Sequence, residues 1–448
     1  PAGSRTPTAG CGSAMSPPQA GAGTSTPFRV QEPLSLNELN QAAAALQAGQ
    51  FEAARAIAER VLAAAPGHEH ALQLQAAACM RLGDAATAAL IYEGLAARFP
   101  AAPALHYNLG LACRDLGDAG RAREAFAAAL RLAPGMEVAR FEMGLLLLRD
   151  RDYAAAAGHF EASRGTEHLR ARAQEYAAYC RRFGSPTEHP PASAPRVSVV
   201  IPCFNHGEFV GDAVRSVIEQ SYRNIEIVVV EGGSTDGVSA EAVRRIRHSR
   251  VRTLFQDAPT PAGANRNAGI AATTGTYVCC LDADDTLAPD YIEKAVFCLE
   301  TLGYDIVGAA AQEFGQDQRR RAFARNPTLA DLIESNQFLV PAVHRRDLWV
   351  RSGGFVDFDR TQGFIHEDWN YWIRLMALGA RALNINWEFL VRVRNHEASR
   401  QSRRTDVLPL DRQVAIMLER NRDVLGSNVT AAPAGLAGRE RLPGRHTL

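Results

Sequence analysis

The sequence predicts a helical-repeat solenoid followed by an α/β domain on a mostly parallel sheet, and three observations predict it. Gly49, Gly83 and Gly117 stand 34 residues apart, and so do Pro66, Pro100 and Pro134; paired helices stack into solenoids at such a period. Beyond about residue 196, continuous apolar runs alternate with amphipathic segments, the pattern of buried strands covered by helices on both faces. One such run, "TYVCCLDADDT" (Thr276 to Thr286), ends in Asp282, Asp284 and Asp285. Like charges so close repel unless a cation or a helix N-terminus meets them.

Composition narrows the classes. The 448 residues are 46% hydrophobic with zero formal net charge, which suits a globular chain of two or three domains. No electrostatic preference for nucleic acid follows. The eight cysteines are scattered through apolar segments without a CxxC pair, so they are expected as buried thiols in a reducing cytoplasm. No apolar run approaches a membrane span, and any membrane contact is expected to be peripheral, at the inner face.

In chain order, residues 1–33 are rich in Pro, Gly, Ser, Thr and Ala and predict a disordered leader. Residues 34–183 carry the repeat. Aligned on the prolines, Ala42, Ala76, Gly110 and Gly144 fall at the crossing of each first helix, and Ala54, Ala88, Ala122 and Ala156 in each second helix. Four residues after the latter stand Ala58, Tyr92, Phe126 and Phe160. Small residues allow close approach, the aromatic is expected to fill the gap to the next unit, and the glycine ends the first helix. This set resembles the tetratricopeptide repeat family, in four units with Arg151 where the fourth should have glycine, and a further helix at about 169–183 caps the stack. The stretch "GSPTEHPPASAP", 184–195, reads as a linker between independent modules. Residues 196–425 form the α/β domain, with strands expected at "RVSVVIPCFN", "NIEIVVVEGG", "VRTLFQ", "TYVCCLDAD" and "YDIVGAAA". Residues 426–448 predict a disordered tail.

Ligands of such sheets sit at the carboxyl ends of the strands, where Asn205, Glu231 and the aspartates fall. If the strand continues through Asp282 and Asp284, both carboxylates share a face and suit one hard divalent cation, Mg²⁺ or Mn²⁺, shared with phosphate oxygens. The alternative is that Asp284 or Asp285 caps the next helix. Glu367 and Asp368, ahead of "WNYWIRLMALG", have a capping alternative too, and His396 one as a solvated histidine. The basic runs Asp317–Arg325 and Ser399–Arg404 read first as solvated surface.

The ordered set "VSVVIPCFNHGEFVGDAVRSVIEQSYRNIEIVVVEGGSTDG", "GANRNAGIAATTGTYVCCLDADD", "GGF", "HEDWNYWIRL" and "RVRNHEAS" resembles the family 2 inverting glycosyltransferases over about residues 196–400. The resemblance implies an all-α tetratricopeptide-repeat solenoid followed by an α/β GT-A domain, Rossmann-like with a mostly parallel sheet. It implies that Pro202, Phe204, Asn205, Glu231, Arg266 and Asp282 bind the nucleotide. Asp284 is the implied metal ligand, with Asp282 and His396 beside it, and Asp368, next to Glu367, is the implied base. Two departures are visible: Glu231 stands where aspartate is usual, and Gly232 where a second aspartate is common. The implied reaction moves a sugar from a nucleotide-sugar donor, a UDP-sugar first, to a glycan, lipid-linked or protein acceptor, with the repeats recruiting the acceptor or a protein partner. The competing classes are a repeat scaffold with an inactive transferase domain and a sugar nucleotidyltransferase; "IPCFNHGEFV" lacks the Gly-rich phosphate loop of the latter.

Overall fold

The computed structural model describes residues 36–184, 194–316, 318–357, 366–396 and 408–425. The predicted leader, the tail and the middle of the linker lie outside the described residues. Two compact units divide the chain, residues 1–82 and 83–448. In the first, α1 (Leu36–Gln47), α2 (Phe51–Ala64) and α3 (Glu69–Leu82) pack around Ala45, Ala54 and Ala78. The second opens with α4 (Ala85–Arg98), α5 (Pro103–Asp115), α6 (Ala119–Leu132), α7 (Glu137–Arg149), α8 (Tyr153–Glu161) and α9 (Glu167–Phe183).

The repeat markers have the expected backbone roles. Gly49, Gly83 and Gly117 end their helices in the left-handed region, at φ 77°, 81° and 81°, which glycine adopts without steric cost. Arg151 holds the same conformation at φ 61°. The aspartates that follow cap the second helices: Asp84, Asp118 and Asp152 accept from the N–H groups of Thr87, Arg121 and Ala155 at 3.1, 3.0 and 3.1 Å. A Cβ at Gly110 would stand 2.5 Å from the Phe126 ring, and one at Gly144 2.8 Å from Phe160. The aromatic therefore closes on the glycine of its own unit, and Phe160 also stacks on Tyr176 of the following α9, at 4.9 Å between centroids.

The sheet begins with β1 (Val197–Cys203), α10 (Val210–Ile218), β2 (Ile225–Glu231), α11 (Ser239–Arg245), β3 (Val251–Phe255), α12 (Ala262–Ala271) and β4 (Tyr277–Cys280). It continues through β5 (Thr286–Leu287), α13 (Tyr291–Glu300), β6 (Ile306–Gly315), β7 (Arg320–Arg321), α14 (Leu329–Glu334) and β8 (Val343–Arg345). Then come α15 (Arg346–Ser352), α16 (Glu367–Ala377), β9 (Ala382–Asn395), α17 (Leu410–Arg420) and α18 (Arg422–Leu425). Strand order is β3-β2-β1-β4-β8-β6-β9-β5, with β7 on β6. The pairs among β1 to β4 are parallel, as expected. β8 runs antiparallel to both β4 and β6, and β5 and β7 are antiparallel to their partners. β6 and β9 pair in parallel as well, so the sheet is mixed, with its long ladders parallel and its antiparallel pairs confined to short contacts; β5, β7 and β8 are too short to show as apolar runs.

The repeats and the sheet share an interior. Phe141, Phe160, Tyr176 and Tyr179 of α7 to α9 lie in one buried cluster with Val199, Ile201, Tyr291 and Leu383. Register explains how. β6 meets β9 regularly up to Ala309↔Ile385, and then Ala310 faces Phe389, so Asn386, Trp387 and Glu388 bulge out of the ladder. Trp387 stands edge-on to Tyr176 and Tyr179, at centroid distances of 4.9 and 5.1 Å. Glu388 accepts from the hydroxyls of Tyr179 at 2.6 Å and Tyr153 at 3.1 Å, and pairs with buried Lys294. Arg325, expected on a solvated surface, is instead paired with Glu175 of α9 at 2.6 Å. The modular separation read from residues 184–195 is therefore absent from the packing.

Candidate active site

β4 ends at Cys280, so the strand does not run on through the aspartates. They form a turn, closed by the Asp285 N–H donating to the Asp282 carbonyl at 3.1 Å. Asp282 and Asp284 consequently have different partners rather than a shared strand face. Asp284 Oδ2 lies 3.1 Å from His396 Nε2 and 3.6 Å from His206 Nδ1. Burial pushes its carboxyl up, but hydrogen bonding and charge from His206, with His396, outweigh this and bring it to about 2. Asp285 caps no helix. Its carboxylate accepts from the Arg394 N–H at 2.9 Å, and burial, with Asp284 and Asp282 beside it, holds its carboxyl well above the usual range. The Arg394 side chain fixes the turn from the other side, donating to the Asp284 carbonyl at 3.1 Å and to Asp212 of α10 at 3.0 Å.

Ligand atoms of His206, Asp284 and His396 lie within 4.8 Å of one another. One carboxylate and two imidazoles at such spacing fit a divalent transition ion. Sequence reasoning missed His206; its signal was a metal-ligating residue type one position after Asn205, at the end of the first strand.

Asp282, expected to serve nucleotide and metal, is bound by Arg266 at 2.8 Å, and the same guanidinium donates to Glu367 at 3.0 Å. Arg266 is 1% exposed and sits 5.3 Å over the Phe355 ring. Burial works against its charge, but the two carboxylates overcome this and raise its pKa above the ordinary value. Arg266 thus links the end of β4 to the start of α16 through Asp282 and Glu367. Asp368, one residue on, is left with a neutral donor, Asn336 Nδ2 at 3.3 Å. Burial first, then Glu367, pushes its carboxyl up to about 6 against the opposing pull of Arg266.

The implied nucleotide residues divide. Pro202 is the penultimate residue of β1, and half-buried Phe204 directly follows the strand. Asn205, at φ 57°, accepts with Oδ1 from the N–H groups of Thr235 and Asp236 at 2.8 and 3.2 Å. Glu231 accepts from those of Gly233 and Ser234 at 3.1 and 2.8 Å. Both side chains shape the loop after β2, and the extra methylene of Glu231 lets it reach around to that loop's amides. Gly232 has a steric reason too: a Cβ there would stand 2.5 Å from Asn265 Nδ2.

Residues 198–360 match the family model described as glycosyl transferase family 2, and residues 80–137 match a tetratricopeptide repeat model. The chain is similar to Glycosyltransferase GlyG of Streptococcus pneumoniae, at 34% identity over 113 residues, covering 25% of this chain and 37% of that protein. It thus spans little more than a third of that relative's length. It is also similar to the putative glycosyltransferase EpsE of Bacillus subtilis, 26% identical over 230 residues, covering 50% of this chain and 81% of that one. Among solved structures, S. aureus TarS 1-349 in complex with UDP-GlcNAc aligns over 51% of this chain and 70% of that one, with 16% identity and a TM-score of 0.43.

Proposed function

We propose that this chain, whose residues 198–360 are a glycosyl transferase family 2 domain, moves one sugar from a nucleotide-diphosphate donor to an acceptor hydroxyl with inversion. The observation that carries the reading is the division of roles among the carboxylates at the end of β4 and the start of α16. Asp284 faces two imidazoles, whereas Asp368 faces a neutral amide and has a raised carboxyl. A base poised near neutrality suits proton removal from an attacking hydroxyl. Asp368 is therefore the group that takes that proton, while Arg266 holds α16 against β4 so that the base and the Asp284 turn keep their separation. Two nitrogen donors favour Mn²⁺ over Mg²⁺, which prefers oxygen ligands. When bound, the cation supplies a Lewis acid for the charge developing on the departing diphosphate. Asn205 and Glu231 hold the loop beside the nucleoside rather than the base itself.

The test is donor turnover by the full chain. Release of nucleoside diphosphate that requires Mn²⁺, and that Asp284→Ala abolishes together with Mn²⁺ binding, is expected. Pyrophosphate release would identify a nucleotidyltransferase instead, and absence of turnover with every donor would identify a repeat scaffold.

A further inference from the structure

The seam between the repeats and the sheet holds a cavity of about 270 Å³ whose wall carries Arg114, Arg149, Arg172 and Arg325, with Tyr176 and Trp387, and no carboxylate. Arg114 and Arg325 have acidic partners behind the wall, Glu142 and Glu175. Arg149 is half-buried and Arg172 lies 5.0 Å over the Phe141 ring; among the described residues, neither has a carboxylate within salt-bridge distance. Burial, with Arg320 and, more weakly, Arg114 near it, lowers the Arg149 guanidinium from its ordinary value, against an opposing pull from Asp150. Two buried polar atoms of the wall also have no hydrogen-bond partner, Arg325 Nε and Trp387 Nε1, in a residue 7% exposed in the latter case. Guanidiniums without an ion-pair partner and unmet donors in a concave site suit acceptor oxygens, and planar guanidinium forks match carboxylate and phosphate groups.

We propose that this seam binds an anionic glycan, gripping a carboxylate or phosphate carried on its sugars. An acidic peptide fits less well, because it brings a row of backbone donors and acceptors that this wall, with Asn386 as its only amide side chain, does not match. The position relative to the transfer site supports a chain-like ligand. Phe389 pairs with Ala310 and Asn395 with Gly315, five residues further along β6, so the bulge and the His396 end of β9 are about 17 Å apart at ~3.4 Å per residue. A chain held at the seam could present a hydroxyl several sugars away to Asp368. In that use the seam is an acceptor subsite, and this step rests on the transferase reading; anion binding itself does not.

The experiment measures binding to the full chain, by calorimetry or Trp fluorescence, of a uronic-acid oligosaccharide, a sugar-phosphate oligomer, a neutral oligosaccharide of equal length and a poly-glutamate peptide. One or both anionic glycans should bind, and whichever binds names the source of the anion. Arg149→Ala should weaken that binding about ten- to a hundredfold, the worth of a hydrogen bond to a charged group, without changing donor hydrolysis. Arg172→Gln, at an exposed position, repeats the test should Arg149→Ala fail to fold. Equal binding of the neutral oligosaccharide, tighter binding of the peptide, no binding of either anionic glycan, or affinities unchanged in both variants would overturn the proposal. Loss of donor hydrolysis by the wild-type chain, with anion binding intact, would instead sink the transferase reading.

Discussion

Three carboxylates within four residues cannot all remain charged in a water-poor turn, and each here is accommodated differently. Arg266 neutralises Asp282, imidazoles flank Asp284, and Asp285 is held toward its protonated form. The sequence made the cluster visible but not this division, because the partners arrive from three separate places, Arg266 of α12, His206 after β1, and Arg394 and His396 at the end of β9. Asp368 supplies the sharpest prediction. A folded-state carboxyl near 6 lies above its unfolded value, so the native state binds the extra proton between those values. Stability conferred on the protonated form is lost as pH rises through that window. Asp368→Asn, which mimics the protonated form, should keep or raise the melting temperature at neutral pH. Transfer should fall by about 10²–10⁴, the usual worth of a general base, and wild-type transfer should decline below about pH 6 as the base is protonated. A mutant with ordinary turnover per folded molecule would return Asp368 to helix capping.

Among the elements, the repeats were the most legible, because glycine and proline constrain the backbone locally and the 34-residue period repeats the constraint. β5, β7, β8 and β9 were absent from the expected strands. The first three are two or three residues long, and "ALNINWEFLVRVRN" has a bulge where apolar alternation would otherwise mark a strand. Arg151 shows how an exception carries information. It accepts a left-handed backbone at φ 61° while its guanidinium reaches Glu388 at 2.9 Å and Asp290 at 3.4 Å. The left-handed conformation costs a non-glycine residue roughly 1–2 kcal/mol, and a half-exposed ion pair returns about 0–1 kcal/mol. Glycine relieves the first and loses the second, so Arg151→Gly should leave stability to urea within about 1 kcal/mol of wild type, by those two terms. Lys294→Met, which removes the buried cation and leaves Glu388 only the half-exposed Arg151, should cost more, up to about 3–5 kcal/mol. A larger loss for Arg151→Gly than for Lys294→Met would show that the exposed cation, not the buried one, anchors the bulge.

For the molecule as a whole, the linker signal at 184–195 is real in composition yet misleading about independence. A fragment beginning at Pro195 would expose Trp387, Phe297 and the Lys294–Glu388 pair, all covered by α8 and α9 in the intact chain. It should aggregate or unfold, whereas a fragment beginning at Gly83, the start of the second compact unit, should fold and hydrolyse donor. Soluble, active protein from the shorter fragment would restore the modular view. Lys294 is the only lysine in the sequence, and its ammonium is enclosed by Tyr153, Asp290 and Glu388. The chain therefore contains its own clock for breathing at the seam: an amine-reactive ester can acylate that side chain only while the helices stand away from the sheet. Acylation of Lys294 followed by mass spectrometry should be slow in the native protein, accelerate in Tyr153→Phe, and slow further when a ligand occupies the seam.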